Sequence, residues 1–177
     1  PFSSNAGMLV PTNGSNSIGF LATQARGDLG PEMDGCLRSP AIPTPTFVKN
    51  YSLNFEHWTA LFDDDAAWVE IRNTNGSWSL LSPLDGYSST SNLNHSPATV
   101  WNGEESNWSH SQFQLDDYVT DMQSTVQFRL CFQTSSSSGA RGGWFVDNFV
   151  VYNQGDDPGA WFHGNMTGDY SANAYGD

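Results

Sequence analysis

The stretch Phe47-Val48-Lys49-Asn50-Tyr51-Ser52-Leu53-Asn54-Phe55-Glu56-His57-Trp58 decides the fold class. Phe47, Tyr51, Leu53 and Phe55 fall on one face, and Asn50, Ser52, Asn54 and Glu56 on the other. A period of two is the signature of a strand, because successive side chains point to opposite faces. Working outward, Ala67-Trp68-Val69-Glu70-Ile71-Arg72 alternates in the same way. Asn75-Gly76 follows as a hairpin signal, since both residues tolerate positive φ, and Trp78 to Leu81 reads as the returning strand. Thr125 to Gln133 places Val126, Phe128, Leu130 and Phe132 on one face. Shorter strands are predicted at Ile18–Ala22, Cys36–Pro40, His110–Leu115 and Gly143–Tyr152. Residues 83–108 are rich in Ser, Asn and Pro and read as a loop with one short strand. No stretch of useful length keeps a helical period. Many short strands between Gly, Asn and Ser turns indicate an all-β, two-sheet antiparallel sandwich. Its inner layers are expected from Leu53, Phe55, Val69, Ile71, Phe128, Leu130, Val146 and Val150.

A length of 177 residues fits one domain. It divides into a leading loop at 1–17, a sandwich body at 18–153, and a polar Gly/Asn/Asp-rich tail or linker at 154–177. Hydrophobic residues make up 37% and aromatic residues 14%, too many for a disordered chain. Nineteen acidic residues against six basic ones give a net charge of −13. That balance argues against nucleic acid and anionic membrane surfaces as partners, because phosphate binding needs clustered Lys and Arg. The sequence has no signal peptide, lipidation motif or long apolar run for membrane insertion, and it reads as part of a larger secreted chain. The two cysteines, Cys36 and Cys131, either form one disulfide in an oxidising compartment or stay as buried thiols.

Several segments together resemble a known family. They are Asn54-Phe55-Glu56-His57-Trp58, the acidic Asp63-Asp64-Asp65, Trp68-Val69-Glu70-Ile71, Asn75-Gly76-Ser77-Trp78, Val126-Gln127-Phe128-Arg129-Leu130 and Gly143-Trp144-Phe145-Val146-Asp147-Asn148-Phe149-Val150-Val151. In this order they resemble the MAM-like (concanavalin-like) jelly-roll domains, especially those attached to secreted peptidases of the immune inhibitor A type. The likeness covers roughly residues 18–153, and the Gly-Trp-Phe-Val-Asp-Asn run is its most specific piece. The resemblance implies a non-catalytic extracellular or cell-surface module that binds calcium. In similar domains an acidic residue of an early loop and the Asp of the final strand, here Asp147, approach one ion.

The residues supply candidates of their own. Calcium wants several oxygen ligands, and Asp28, Glu32 and Asp34 put three carboxylates in one turn-rich loop. Asp147 lies in an apolar strand, with Phe145 and Phe149 expected beside it. A buried carboxylate there needs a metal, an Arg partner or backbone donors. Asp63-Asp64-Asp65 is a second candidate cation cluster, or a solvated loop between strands. A polar sheet face carrying Glu56, Trp68, Glu70, Arg72 and Arg129 suits a sugar, with Trp68 as stacking platform, or else forms an ion-pair ladder or lies under the long loop. Six Asn-x-Ser/Thr sequons, at Asn13, Asn50, Asn75, Asn94, Asn107 and Asn165, mark a possible glycoprotein. Arg26-Gly27-Asp28 is a tripeptide of the kind chance supplies.

An enzyme is not expected. No Gly-x-Ser-x-Gly motif is present, His57, His95, His110 and His163 have no zinc spacing, and His57 reads as a core residue. The functional expectation is therefore recognition or adhesion through a glycan or a cell-surface protein. The alternatives are an accessory domain of a secreted metallopeptidase and a jelly-roll glycosidase, which would need two carboxylates flanking one bond.

Overall fold

The computed structural model describes residues 18–19, 31–44, 50–119, 125–137, 142–153, 162–163 and 167–169. The described residues contain strands and turns, with no helix among them. In chain order the strands are β1 (Ile18–Gly19), β2 (Asp34–Arg38), β3 (Ile42–Pro43), β4 (Tyr51–Ala60), β5 (Ala66–Arg72), β6 (Trp78–Leu80) and β7 (Ser89–Thr90). They continue with β8 (Thr99–Val100), β9 (Ser109–Gln114), β10 (Thr125–Val126), β11 (Phe128–Gln133), β12 (Gly143–Asn153), β13 (Phe162–His163) and β14 (Thr167–Asp169).

Two five-stranded antiparallel sheets make the body. The first runs β1-β12-β4-β9, with β13 also paired to β12, and the second runs β14-β2-β11-β5-β6. Two small ribbons, β10 with β3 and β7 with β8, complete it. The sheets are sandwich-like: the inward residues of both meet in one core, as alternation requires. Tyr51, Leu53 and Phe55 of β4, Phe113 of β9, and Trp144, Val146, Phe149 and Val151 of β12 come from the first sheet. Ala67, Val69 and Ile71 of β5 and Phe128, Leu130 and Phe132 of β11 come from the second. Phe55 is the hub, stacked on Phe149 at 6.0 Å and edge-on to Trp101 and Trp144.

The structure corrects the reading of the last strand. Pairing of β12 with β4 slips between Asp147 and Val150, and Asn148 sits at φ 52°. An extra residue in one strand of a pair reverses the side-chain alternation beyond it. Phe149 and Val151 therefore face the core, Val150 is only half-buried, and Asp147 stays with Phe145 on the outer side. Val150 is thus not a core residue, and Phe149 does not share a face with Asp147.

The body also reaches past the expected boundary. In the region read as a tail, β13 pairs with β12 and β14 with β2. Phe47, expected at the start of the long strand, lies outside the described residues, and that strand extends to Ala60 instead of ending at Trp58.

Segment 83–108 is a packed strap. Its β7–β8 ribbon returns along the second sheet, and Trp101 exchanges backbone hydrogen bonds of 2.8 and 2.9 Å with Ala67. Glu104 then bridges to Ala60 of the first sheet. Tyr87 ties the strap down: its hydroxyl accepts from the Val69 amide at 3.0 Å and donates to the Leu81 carbonyl at 2.7 Å. Burial pushes this phenol far above its ordinary range, so it remains a neutral donor.

Candidate functional site

The outer face of the second sheet holds most of the residues singled out from the sequence. Because Val69, Ile71, Phe128 and Leu130 point inward, Trp68, Glu70 and Arg72 of β5 and Arg129 and Cys131 of β11 point outward. The register sets Cys36, Cys131 and Trp68 in one row across β2, β11 and β5, and Arg38, Arg129 and Glu70 in the next row but one.

The first row is sealed. Cys36 and Cys131 form a disulfide, with Cα atoms 4.1 Å apart. Trp68 is fully buried beside it, with Val100 of the strap in the same cluster and Leu80, Tyr87 and Leu93 against it. Trp68 is therefore no sugar platform. Its indole Nε1 donates to Glu70 Oε1 at 2.8 Å.

The second row is an ion-pair ladder capped by an aromatic ring. Arg129 Nε and Nη2 both lie 2.5 Å from Glu70 Oε2. The Arg129 guanidinium stands 4.7 Å from the Trp78 ring centroid and that of Arg38 5.8 Å, within cation–π range. Arg72, opposite Trp78, is exposed and donates to Gln127 Oε1 at 3.2 Å. Trp78 is partly exposed, so the aromatic group on the open half of this face is Trp78. The sequence offered a signal for it: two residues past the Asn75-Gly76 turn, Trp78 must lie beside β5.

Glu56 belongs elsewhere. It projects from the outer face of the first sheet, in a row with Asp147 on β12 and His110 on β9. His110 Nδ1 and Glu56 Oε1 are 2.9 Å apart. Asp147 Oδ1 accepts from the Asn148 amide at 2.8 Å, so backbone donation meets part of its need. Glu56 and Glu70 are thus not neighbours.

The calcium set is divided in the same way. Glu32 and Asp34 line a polar cleft of about 370 Å³ with Asn92, Asn94, His95, Gln133 and Ser135. Asp34 Oδ2 lies 2.8 Å from His95 Nδ1, which pins the strap to the start of β2. Asp147 is on the other sheet, and Asp28 lies outside the described residues. Among the described residues no three His, Cys, Asp or Glu side chains converge as a metal site would. The described part of the early loop, Glu32 and Asp34, thus lies apart from Asp147.

The Asp63–Asp65 segment is a staple. Asp65 is buried and accepts from the amides of Phe62 and Ser135, each at 2.9 Å. Asp64 is exposed and accepts from the hydroxyls of Ser137 and Ser135, which hold its carboxyl below the usual range. Of the sequons, Asn50, Asn75, Asn94 and Asn107 are exposed, while Asn13 and Asn165 lie outside the described residues.

One cluster escaped the sequence reading. His57 Nε2 is 3.0 Å from Ser111 Oγ, and His57 Nδ1 is 4.0 Å from Glu105 Oε2. Ser, His and Glu in this order have the outline of a nucleophilic triad. The proton is on the wrong nitrogen, however. Trp144 Nε1 donates to His57 Nδ1 at 3.4 Å, so the neutral ring carries its hydrogen on Nε2 and cannot accept one from Ser111. His57 and Ser111 are also both buried. The group is a satisfied polar pocket within the core.

Burial, with the nearby His110 adding to it, lowers the His57 pKa from 6.5 to about 4. The unfolded chain then takes up the proton first, so stability falls as pH drops below about 6.5 and levels off near 4. The expected loss is about 3 kcal/mol. Urea unfolding of the wild type and His57→Gln across this range checks it: the difference between the two should shrink as pH falls. A pH-independent difference would show that His57 does not titrate this way.

No family model matches the chain, and no curated protein matches it.

Proposed function

We propose that this chain is a non-catalytic extracellular recognition or adhesion module, a jelly-roll sandwich of the MAM-like kind that binds a glycan or a cell-surface protein. The observation that carries the reading is the open half of the second sheet's outer face. There a partly exposed Trp78 is ringed by Arg38, Arg129 and Arg72, with Glu70 fixing Arg129. An aromatic ring with a few fixed polar groups is what a carbohydrate or protein ligand needs for stacking and orientation. The buried disulfide suits an oxidising compartment. Two of the four carboxylates expected to hold calcium, Glu32 and Asp34, share a cleft with amide oxygens, which supports a calcium reading there.

The test is a glycan array and a cell-surface binding screen with the whole chain, repeated with Trp78→Ala. Retention that is lost in the variant, with the melting temperature kept, supports the reading. No retention on either screen, or retention indifferent to Trp78, overturns it. A calcium titration of the melting temperature tests the cleft. A rise that Asp34→Asn removes is expected, and an unchanged curve counts against the ion.

A further inference from the structure

We propose that Asn75 is a site of self-modification: in the folded chain it deamidates through a ring closed with Gly76, while the like pair Asn102-Gly103 is protected. The proposal stands on the turn itself and not on the recognition reading.

An Asn followed by Gly closes this ring readily, because glycine puts no side chain in the way. The chain has three such pairs, Asn13-Gly14, Asn75-Gly76 and Asn102-Gly103, of which the first lies outside the described residues. Water supplies everything the reaction consumes. Hydroxide removes the Gly76 amide proton, the nitrogen attacks Asn75 Cγ, and the Cγ–Nδ2 bond breaks to release ammonia, its proton coming from water. A water molecule then opens the succinimide to aspartate or isoaspartate.

The hairpin turn prepares Asn75 for this. Asn75 Oδ1 accepts from the Ser77 amide at 2.9 Å and from Ser77 Oγ at 2.7 Å. The ring closed by the first bond contains the Gly76 nitrogen, so Cγ is held along the peptide that attacks it. Both donors face the oxygen on which negative charge develops, as in an oxyanion hole. Asn75, Gly76 and Ser77 are exposed, and a Cβ at Gly76 would meet only Arg72 Nη2, at 3.8 Å. A guanidinium so near favours the amide anion. Against attack stands the bond from the Gly76 amide to the Asn73 carbonyl at 2.9 Å. Opening one exposed hydrogen bond slows the step by about tenfold at most.

Much more must open at Asn102. Its Nδ2 donates to the Asp63 carbonyl, the Gly103 amide donates to the Phe62 carbonyl at 3.3 Å, and the Gly103 carbonyl accepts from the Leu61 amide at 3.0 Å. Trp101 just before it is buried and bonded to Ala67, so the strap would have to lift first. At Asn75, conversion puts a carboxylate beside Arg72, and the isoaspartyl form adds a backbone atom at the foot of β6, next to Trp78.

The experiment is peptide mapping by mass spectrometry of the whole chain, made in a host without N-glycosylation, since a glycan on Asn75 would replace the leaving group. Timed samples are taken at mildly alkaline pH, folded and in urea. In the folded chain the Asn75 peptide should gain the mass of amide-to-acid exchange and split into aspartyl and isoaspartyl forms. Heavy oxygen should enter it from labelled water, while the Asn102 peptide stays unchanged. In urea both should convert. Arg72→Gln, an exposed change that leaves the core alone, should slow Asn75 by up to about fivefold. An intact Asn75 in the folded chain, over a time in which the unfolded chain converts, would overturn the proposal. So would equal conversion of Asn75 and Asn102 in the folded chain. An unchanged rate in Arg72→Gln would overturn the part given to the guanidinium.

Discussion

Replacing Trp68 by alanine is expected to lower the free energy of unfolding by about 3–5 kcal/mol, the range for deleting a large buried aromatic. Trp68 is fully buried between the second sheet and the strap, in one cluster with Val100 and both half-cystines. Removing the indole leaves a hole that Leu80, Tyr87 and Leu93 cannot fill without moving the strap, and it strips Glu70 of a hydrogen-bond donor. Glu70 still has Arg129, so the loss should be dominated by packing. Urea unfolding followed by fluorescence would show the drop. Trp68→Phe should recover most of it, because an aromatic ring of lesser size keeps the strap seated. A loss under about 1 kcal/mol would mean that the strap does not pack here as described. Any ligand binding lost in Trp68→Ala would then follow from unfolding, whereas the same loss in Trp78→Ala would come at a kept melting temperature.

The second large effect concerns the disulfide. Converting both Cys36 and Cys131 to alanine should cost about 4 kcal/mol, since the bridge closes a loop with a sequence separation of 95. The bond restricts the unfolded chain, and longer loops lose more entropy when closed. Alanine is the better replacement because Cys131 is fully buried, and a serine hydroxyl there would add an unpaired polar group. A reducing agent should destabilise the wild type by a similar amount and leave the double variant unchanged. Equal stability with and without the reductant would argue that no bond forms in solution. Cys131 and Trp68 are opposite each other in register, so combining the two changes should give less than the sum of their separate costs.

Much of the fold was legible in side-chain rhythm. Tyr51, Leu53 and Phe55, then Val69 and Ile71, then Phe128 and Leu130 all face the core as their alternation requires. The rule failed where the backbone broke its own period. One extra residue at Asn148 sends Phe149 inward and leaves Asp147 behind, and nothing in the strand's composition announces that slip. The site was legible as a set of outward positions, and the sequence left open whether they bind a sugar, pair as an ion ladder or lie under the long loop. Outward from the core is a local property of a strand. Exposure depends on what another segment lays over it, and the Ser- and Asn-rich strap carried no periodicity to show that it would land on Trp68.

The sequence alone determined that this chain builds antiparallel sheets, which residues turn inward in the strands that keep their period, and that it carries a large negative charge with few cations. Those follow from period and composition, properties of neighbouring residues. Tertiary structure decided the rest: that Glu56 and Glu70 lie on different sheets, that Cys36 meets Cys131, that Trp68 is sealed while Trp78 is not, and that three arginines share one face. Strand order and register set which distant residues meet, and both arise from how whole sheets pack.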